Sequence, residues 1–106
     1  MEIKTHIRSN DWLDMHGDYC HGTHNGYIGV PPEHPWFKKN YNYISADVHG
    51  GLTFSSAICP GTKDPDGYWW IGFDTNHYND TKFNCDEQYV LAQIESLKQQ
   101  ALAVIK

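Results

Sequence analysis

Hydrophobic residues near the end of the chain recur every three or four positions, which places them on one face of a helix. They are Val90, Ile94, Leu97, Ala101 and Val104. Asn84 and Glu87 precede this stripe at the spacing of a capping box, in which two side chains bond the first free N–H groups of a helix. The pattern therefore predicts a C-terminal amphipathic helix that begins close to Asn84.

Earlier segments favour strands. The segment 68–74, YWWIGFD, has bulky residues at both odd and even positions, which is typical of a central strand covered on both faces. Ile3, Thr5 and Ile7 alternate more weakly and predict an edge strand. Further strands are expected at 27–30, 43–48 and 52–58. The sequence CPGTKDPDG at 59–67 predicts an exposed loop, because proline and glycine favour turns.

These elements predict a single α+β domain over residues 1–106, in which an antiparallel β-sheet of about four to five strands has the C-terminal amphipathic helix packed on one face. A chain of 106 residues is too short for a second domain with its own core. No apolar stretch is as long as a membrane span, and the polar start, MEIKTHIRSND, is unlike a signal peptide. We therefore expect a cytoplasmic protein that does not bind membranes.

The charge of the chain argues against binding to duplex nucleic acid. Its formal net charge is −5 with neutral histidines, and its eight basic residues include a single arginine, Arg8. Affinity for a duplex comes mainly from many contacts between cations and phosphates. A small anionic ligand needs only a few donors, so such a ligand is compatible with this composition.

Three cysteines and seven histidines bear on metal binding. Cys20, Cys59 and Cys85 are odd in number and form no CxxC pair, so reduced thiols are expected rather than a disulfide framework. The cluster Cys20-His21-x-x-His24 suggests a structural zinc, but its four ligands would be complete only if the fold brought another cysteine close. We therefore expect no cofactor.

Three segments combine glycines, aromatic rings and histidines. They are NGYIGVPPEHPWFKKNY at 25–41, DVHGGLTFSS at 47–56 and YWWIGFDTNHYND at 68–80. In this order they resemble the motifs of a family of small, uncharacterised phage and prophage proteins. The resemblance implies a phage origin, and so a place in the cytosol of an infected bacterium, but it implies no reaction. Members of the family often have cysteine and alanine where Thr75 and Asn76 stand here, so a thiol is not expected to act at that position.

The segment DVHGG suggests an anion site. On a strand, Asp47 and His49 face the same way, because side chains alternate between the two faces. Gly50 and Gly51 can adopt positive φ and present successive N–H groups to an oxyanion or a phosphate, with Thr53 two positions further on. The alternative is a hairpin turn in which Asp47 only orients His49.

Asp74, His77 and Asp80 follow a predicted strand at i, i+3 and i+6, so they share one face of a turn or short helix. Such a triplet suits an acid–histidine pair for proton transfer. As a weaker alternative, the three residues could supply three ligands to a divalent metal. Otherwise the segment is a polar loop in which Asp74 caps the next turn.

We expect the protein to bind a small anionic, nucleotide-like ligand, and to sequester a nucleotide-type immune signal so that host defence is countered. Aromatic rings would stack on the base, while glycine N–H groups and histidines would hold the phosphates. His34, which nearby prolines hold rigid beside Trp36, is a further contact candidate. The expected ligand-binding residues are His34, Trp36, Asp47, His49, Gly50, Gly51, Thr53, Trp70, Asp74 and His77. By analogy with other small sequestering proteins, a homo-oligomer is expected.

Two other functions compete with binding. The first is a metal- or histidine-dependent phosphodiester hydrolase, whose converging residues would be Asp47, His49, Asp74 and His77. Against it, Arg8 lies outside all three segments, so none of them supplies an arginine to stabilise phosphoryl charge. The second is a protein–protein inhibitor of a host defence factor, which would use an acidic aromatic face. The sequence favours binding over both.

Overall fold

The computed structural model describes residues 1–10 and 13–105. These residues form a four-stranded antiparallel sheet and one C-terminal helix, so the predicted α+β class is confirmed. The strands are β1 (Lys4–Ser9), β2 (His24–Val30), β3 (Phe54–Ser56) and β4 (Trp69–Phe73), and the helix is α1 (Glu87–Ala103). A one-turn 3-10 helix, Tyr41–Tyr43, lies between β2 and β3. The sheet order β1-β2-β4-β3 places β4 inside the sheet and β1 at its edge, as the sequence predicts.

The core lies between α1 and one face of the sheet. Ile28 of β2 is fully buried there, together with Ile71 and Phe73 of β4. Four residues of the predicted helix stripe are buried against them, namely Val90, Ile94, Leu97 and Ala101. Gly26 allows a close approach of the helix, because a Cβ at this position would collide with the side chains of Ile94 and Phe73. Burial of this apolar surface holds the helix to the sheet.

Aromatic rings cover much of the opposite face of the sheet. Tyr27 of β2 and Phe54 of β3 meet edge to face, with ring centroids 5.4 Å apart. His6 of β1 lies near Trp70 of β4, with ring centroids 6.2 Å apart. These residues alternate with core-facing ones along their strands, as the two-residue period of a strand requires. The sheet thus has one face under the helix and one face lined by rings and polar groups.

The segment 43–48 is not a strand, contrary to the prediction. The N–H groups of Tyr43 and Ile44 close a 3-10 turn, and the backbone of Asp47 bonds a side chain of α1 instead of a neighbouring strand. Gln100 accepts from the Asp47 N–H and donates to the Asp47 carbonyl, both at 2.7 Å. Gln93 accepts from the N–H of His49 at 2.9 Å. The chain therefore lies against the helix and is not added to the sheet.

The helix begins later than the capping-box pattern predicts. Asp86, not Asn84, is the N-cap, and its carboxylate accepts from the Tyr89 N–H at 2.9 Å. Asn84 instead accepts from the Thr81 N–H, at 2.8 Å, in the preceding turn. Val104 follows the helix and is 43% exposed, so it does not extend the buried stripe. Within residues 1–10 and 13–105, no helix combines the length and the apolar character that crossing a membrane requires.

The other strands differ from the predictions only in length. β2 starts at His24, before the predicted segment 27–30. β3 covers only the middle of the predicted segment 52–58. The loop 59–67 is largely exposed, as predicted, although Cys59 at its start is buried.

We expect Leu97→Ala to destabilise the protein by about 2–5 kcal/mol, because Leu97 is fully buried and its truncation leaves a cavity between helix and sheet. Leu91→Ala on the same helix is the matched control. Leu91 is 46% exposed, so the same truncation should cost less than about 1 kcal/mol. Urea unfolding followed by circular dichroism measures both free energies. Equal losses in the two variants would contradict the orientation of the helix.

Candidate functional site

Asp80 joins two histidines that are far apart in the sequence. Its Oδ1 lies 2.9 Å from Nε2 of His49, and its Oδ2 lies 2.8 Å from Nδ1 of His77. The backbone N–H of His77 also donates to Oδ2, at 3.0 Å. Around His49, the Cys85 Sγ is 3.7 Å from Nε2 and the Tyr89 hydroxyl is 2.8 Å from Nδ1. We call these five residues the histidine cluster.

The members of the histidine cluster come from different parts of the fold. His49 follows the segment that the glutamines of α1 hold, and its own N–H donates to Gln93. His77 and Asp80 lie in a turn after β4, which the Asp80 N–H closes by donating to the His77 carbonyl at 2.9 Å. Tyr89 is on the first turn of α1. The cluster therefore exists only when the loop, the turn and the helix are all in place.

Gly50 and Gly51 both have positive φ, at 66° and 79°, as the sequence predicts. The Gly51 N–H donates to the Val48 carbonyl at 2.9 Å and closes a turn, so it is not available to an anion. Gly50 lies against the imidazole of His77, and a Cβ on Gly50 would collide with that ring. In this geometry the glycines let the loop turn beside His77, and they do not form the pair of free N–H groups that an anion nest needs.

Asp80 is only 6% exposed, yet its carboxyl group is ionised at neutral pH. Burial by itself raises the pKa of Asp80, but hydrogen bonds from His49 and from the backbone and side chain of His77 outweigh it and lower the pKa to about 2. An ionised carboxylate only accepts, so Nε2–H of His49 and Nδ1–H of His77 donate to it. Nδ1 of His49 shares a hydrogen bond with the Tyr89 hydroxyl. Nε2 of His77 lies 3.8 Å from Oδ1 of Asp74, on a side chain that is 37% exposed.

The Cys85 thiol and the Tyr89 hydroxyl are both protonated at neutral pH. Burial raises the pKa of Cys85, and the nearby Asp80 carboxylate raises it further, to about 11. Burial also raises the pKa of Tyr89, and the charges of Cys85 and Asp80 act in the same direction. The histidine cluster without a bound cation therefore offers a neutral thiol and no thiolate nucleophile.

The triplet Asp74, His77 and Asp80 does not converge on one point. Oδ1 of Asp74 is 3.8 Å from Nε2 of His77, whereas Asp80 bonds Nδ1 on the other side of the same ring. The two nitrogens of one imidazole point away from each other, so a single ion cannot be bound by both. This geometry does not provide the three-ligand metal site of the sequence hypothesis. It forms instead a row of alternating carboxylates and imidazoles that ends at His49.

Other expected ligand contacts lie away from the histidine cluster. His34 is buried, with its Nε2 2.8 Å from the Ala101 carbonyl and its Nδ1 accepting from the Trp36 N–H at 2.9 Å. Ala101 is in the last turn of α1, about 18 Å along the helix from the turn that carries the cluster. Trp36 and Trp70 are 5% and 3% exposed, so neither ring is open to a ligand: Trp36 belongs to the core, and Trp70 is covered on the ring-lined face of the sheet. Asp47 is exposed, and its backbone is bonded to the helix.

A separate cavity of about 310 Å³ opens on the ring-lined face of the sheet, and we call it the sheet cavity. Its lining includes Arg8, Asn25, Tyr27, Thr53, Phe54 and Asp74. Strand pairing builds it, because Arg8 of β1 stands opposite Asn25 of β2. Thr53 and Asp74 are the predicted contact residues that lie in it. Since Asp74 is also 3.8 Å from His77, it borders both the sheet cavity and the histidine cluster.

Two opposite charges act on the Tyr27 hydroxyl in the sheet cavity. Burial raises the pKa of Tyr27, the positive charge of Arg8 opposes this rise, and the negative charge of Asp74 adds to it. Within residues 1–10 and 13–105, Arg8 forms no ion pair. Its guanidinium is therefore able to bind an anion that enters the cavity.

Sequence reasoning missed several of these residues. Tyr89 and Gln93 are four positions apart on α1 and so share a face, but polar residues on a helix face are typical of a solvated surface. Arg8 and Asn25 become neighbours only through the register of β1 and β2. The one signal in the sequence was that Arg8 is the single arginine.

No protein-family model matches this chain, and no solved structure matches it. The resemblance to phage and prophage proteins thus rests on the three sequence segments alone. A function has to be inferred from the chemistry of the histidine cluster and the sheet cavity.

We expect Asp80 to make the stability of the fold sensitive to acid. Because its folded pKa of about 2 lies below the value of about 3.9 for a free aspartate, its contribution is complete above about pH 5 and is lost as the pH falls toward about 2. The shift corresponds to about 2–3 kcal/mol of unfolding free energy. Urea unfolding between about pH 5 and about pH 2 should show this loss in the wild type and not in Asp80→Asn.

Asp64→Asn is the control for this experiment. Asp64 is exposed in the loop 59–67, so its replacement should preserve the acid sensitivity of the wild type. The same loss in Asp80→Asn as in the wild type would contradict an ionised carboxylate bonded by two imidazoles.

Proposed function

We propose that this protein binds a small anionic molecule containing a flat ring, and that the molecule binds in the sheet cavity. One observation carries the proposal: the Arg8 guanidinium and the ring pair Tyr27–Phe54 line the same cavity of about 310 Å³. Ligand sites are typically concave, about 300–1,000 Å³ in volume, and combine rings with a few well-placed polar groups. The sheet cavity is at the lower end of that range, which suits a ligand of about one nucleotide.

The rings of the sheet cavity favour a flat ligand. Tyr27 and Phe54 are both half-buried, so each ring is fixed by packing while part of it faces the cavity. A base stacked on such a ring gains about 1–3 kcal/mol, and stacking tolerates many ring systems. The two rings therefore supply affinity without requiring one particular base.

The polar groups of the sheet cavity favour an anionic ligand. The planar guanidinium of Arg8 can donate two parallel hydrogen bonds to a phosphate or a carboxylate. Asn25 is already oriented, because its Oδ1 accepts from the Thr75 N–H at 3.1 Å, which leaves its NH₂ group as a donor. Asp74 accepts, so it suits a ring amine or a sugar hydroxyl and repels a second negative group. The cavity is thus selective for a ligand whose charge lies at one end.

A nucleotide has these properties, with a base for the rings and a phosphate for Arg8. The proposal keeps the nucleotide-like ligand expected from the sequence but moves it from the glycines of DVHGG to the sheet cavity, since the Gly51 N–H is already bonded. Sequestration of an immune signal, a phage origin and a homo-oligomer stay predictions from the sequence.

The test is a titration of the purified protein with nucleoside monophosphates, cyclic nucleotides and nucleosides, followed by calorimetry. We expect binding of a phosphate-bearing ligand, and Arg8→Met should weaken it at least about tenfold, because a charged hydrogen bond worth about 1.5–3 kcal/mol is lost. Lys63→Met removes an exposed cation from the loop 59–67 and should leave the affinity unchanged. Equal affinity in Arg8→Met and the wild type would place the ligand elsewhere.

A hydrolase is a second candidate, and one contact favours it. Asp74 lines the sheet cavity and lies 3.8 Å from Nε2 of His77, while Asp80 orients the opposite nitrogen of the same ring. A neutral imidazole held by a carboxylate in this way is the arrangement of a general base. The fold also places Arg8 in the cavity that Asp74 borders, although Arg8 lies outside the three sequence segments.

Recovery of the ligand separates the two candidates. After prolonged incubation and denaturation of the complex, we expect the bound nucleotide to be released chemically intact, as capture requires. If hydrolysis products appear, the hydrolase is correct, and His77→Gln should then abolish product formation while the protein still binds the ligand. His16→Gln alters an exposed histidine outside the cluster and serves as the control. Liquid chromatography with mass spectrometry identifies the released species.

A further inference from the structure

We propose that His49, Asp80 and Cys85 form a zinc site. Nε2 of His49, a carboxylate oxygen of Asp80 and Sγ of Cys85 all lie within 4.8 Å of one another. Nitrogen, oxygen and sulfur donors of these three kinds are the ligands that zinc takes in proteins. The proposal is independent of ligand binding in the sheet cavity, because no residue of this site lines that cavity.

The distances between the donor atoms fit a tetrahedral zinc ion. Zinc bonds nitrogen and oxygen at about 2.0–2.1 Å and sulfur at about 2.3 Å, so two ligands of one ion are about 3.3–3.6 Å apart. Nε2 of His49 is 2.9 Å from Oδ1 of Asp80 and 3.7 Å from Sγ of Cys85. These two distances are within about half an ångström of the tetrahedral values, and the third pair, Asp80 and Cys85, is held within 4.8 Å. In this structure the hydrogen bond between His49 and Asp80 occupies the position that the ion would take.

The groups around the three ligands hold them in the right orientation. Tyr89 bonds Nδ1 of His49 at 2.8 Å, which turns Nε2 toward Cys85. The N–H and Nδ1 of His77 both bond Oδ2 of Asp80, at 3.0 and 2.8 Å, which leaves Oδ1 for a metal. Hydrogen bonds of this kind to the far atoms of metal ligands fix their geometry in known zinc sites.

The protons balance on zinc binding. His49 moves its proton from Nε2 to Nδ1, and the Tyr89 hydroxyl, which can both donate and accept, turns to accept it. Cys85 releases one proton to solvent and becomes a thiolate. The charges of Asp80 and of this thiolate then neutralise the ion. Three protein ligands leave a fourth position for water, and His49, 18% exposed, lies where solvent reaches the site.

Cobalt provides the test, because a cysteine thiolate bound to Co²⁺ produces a charge-transfer band in the near ultraviolet. The full chain is stripped with a chelator and titrated with Co²⁺, and we expect a band that saturates at one equivalent and disappears when one equivalent of Zn²⁺ is added. The double variant Cys20→Ser, Cys59→Ser keeps Cys85 as its single thiol and should retain the band. Retention assigns the thiolate to Cys85 without changing the site.

Zinc affinity gives a second measurement. His49→Gln removes a ligand and should weaken zinc binding at least about 100-fold, whereas Tyr89→Phe removes an outer hydrogen bond and should weaken it about 10-fold. His16→Gln should have no effect. The absence of the band in the wild type overturns the proposal, as does its loss in a folded double variant. If the double variant does not fold, the two single variants are titrated, and loss of the band in either one also overturns it.

Discussion

The structure around the site depends on the buried carboxylate of Asp80, which accepts hydrogen bonds from the imidazoles of His49 and His77. Burying an ionised Asp80 would be strongly unfavourable without donors, because its charge loses the hydration of water. Three donors from His49 and His77 compensate for that loss and hold the pKa of Asp80 at about 2. These bonds connect the loop that contains His49 to the turn after β4, two segments that are far apart in the sequence.

The class of fold could be predicted from the sequence because the spacing of hydrophobic residues matches the buried positions over long segments. The stripe on α1 and the bulky run in β4 each specify one element and one environment, and both are found as predicted. Residues 43–48 carry a strand-like pattern as well, but Gln100 on the helix bonds the backbone of Asp47, and Gln93 bonds the N–H of the following His49. These contacts come from glutamines on a helix face whose polar residues are typical of a solvated surface. The local sequence pattern alone could therefore not predict the contacts.

The candidate site was only partly visible in the sequence. His49 and His77 come together, yet Asp80 rather than Asp47 is the residue between them, because Asp47 bonds the far end of the helix through its backbone. His34 and its neighbour Trp36 looked available to a ligand but satisfy each other and the last turn of α1. The sheet cavity depends on strand register, and the two glycines of β2 leave that register weakly specified by the sequence pattern.

The glutamine contacts also bear on how the molecule reaches its final form. The loop around Asp47 and His49 takes hydrogen bonds from helix residues that are 53 and 44 positions further along the chain. Contacts between such distant segments form late, because closing a long loop costs entropy before any bond is gained. The pairing of β2 with β4 joins segments that are similarly far apart, so the sheet and the histidine cluster form under the same constraint. Undocking of the C-terminal helix would dismantle the cluster and would also expose the core face of the sheet, so the chemistry of the cluster reports on whether the whole domain is folded.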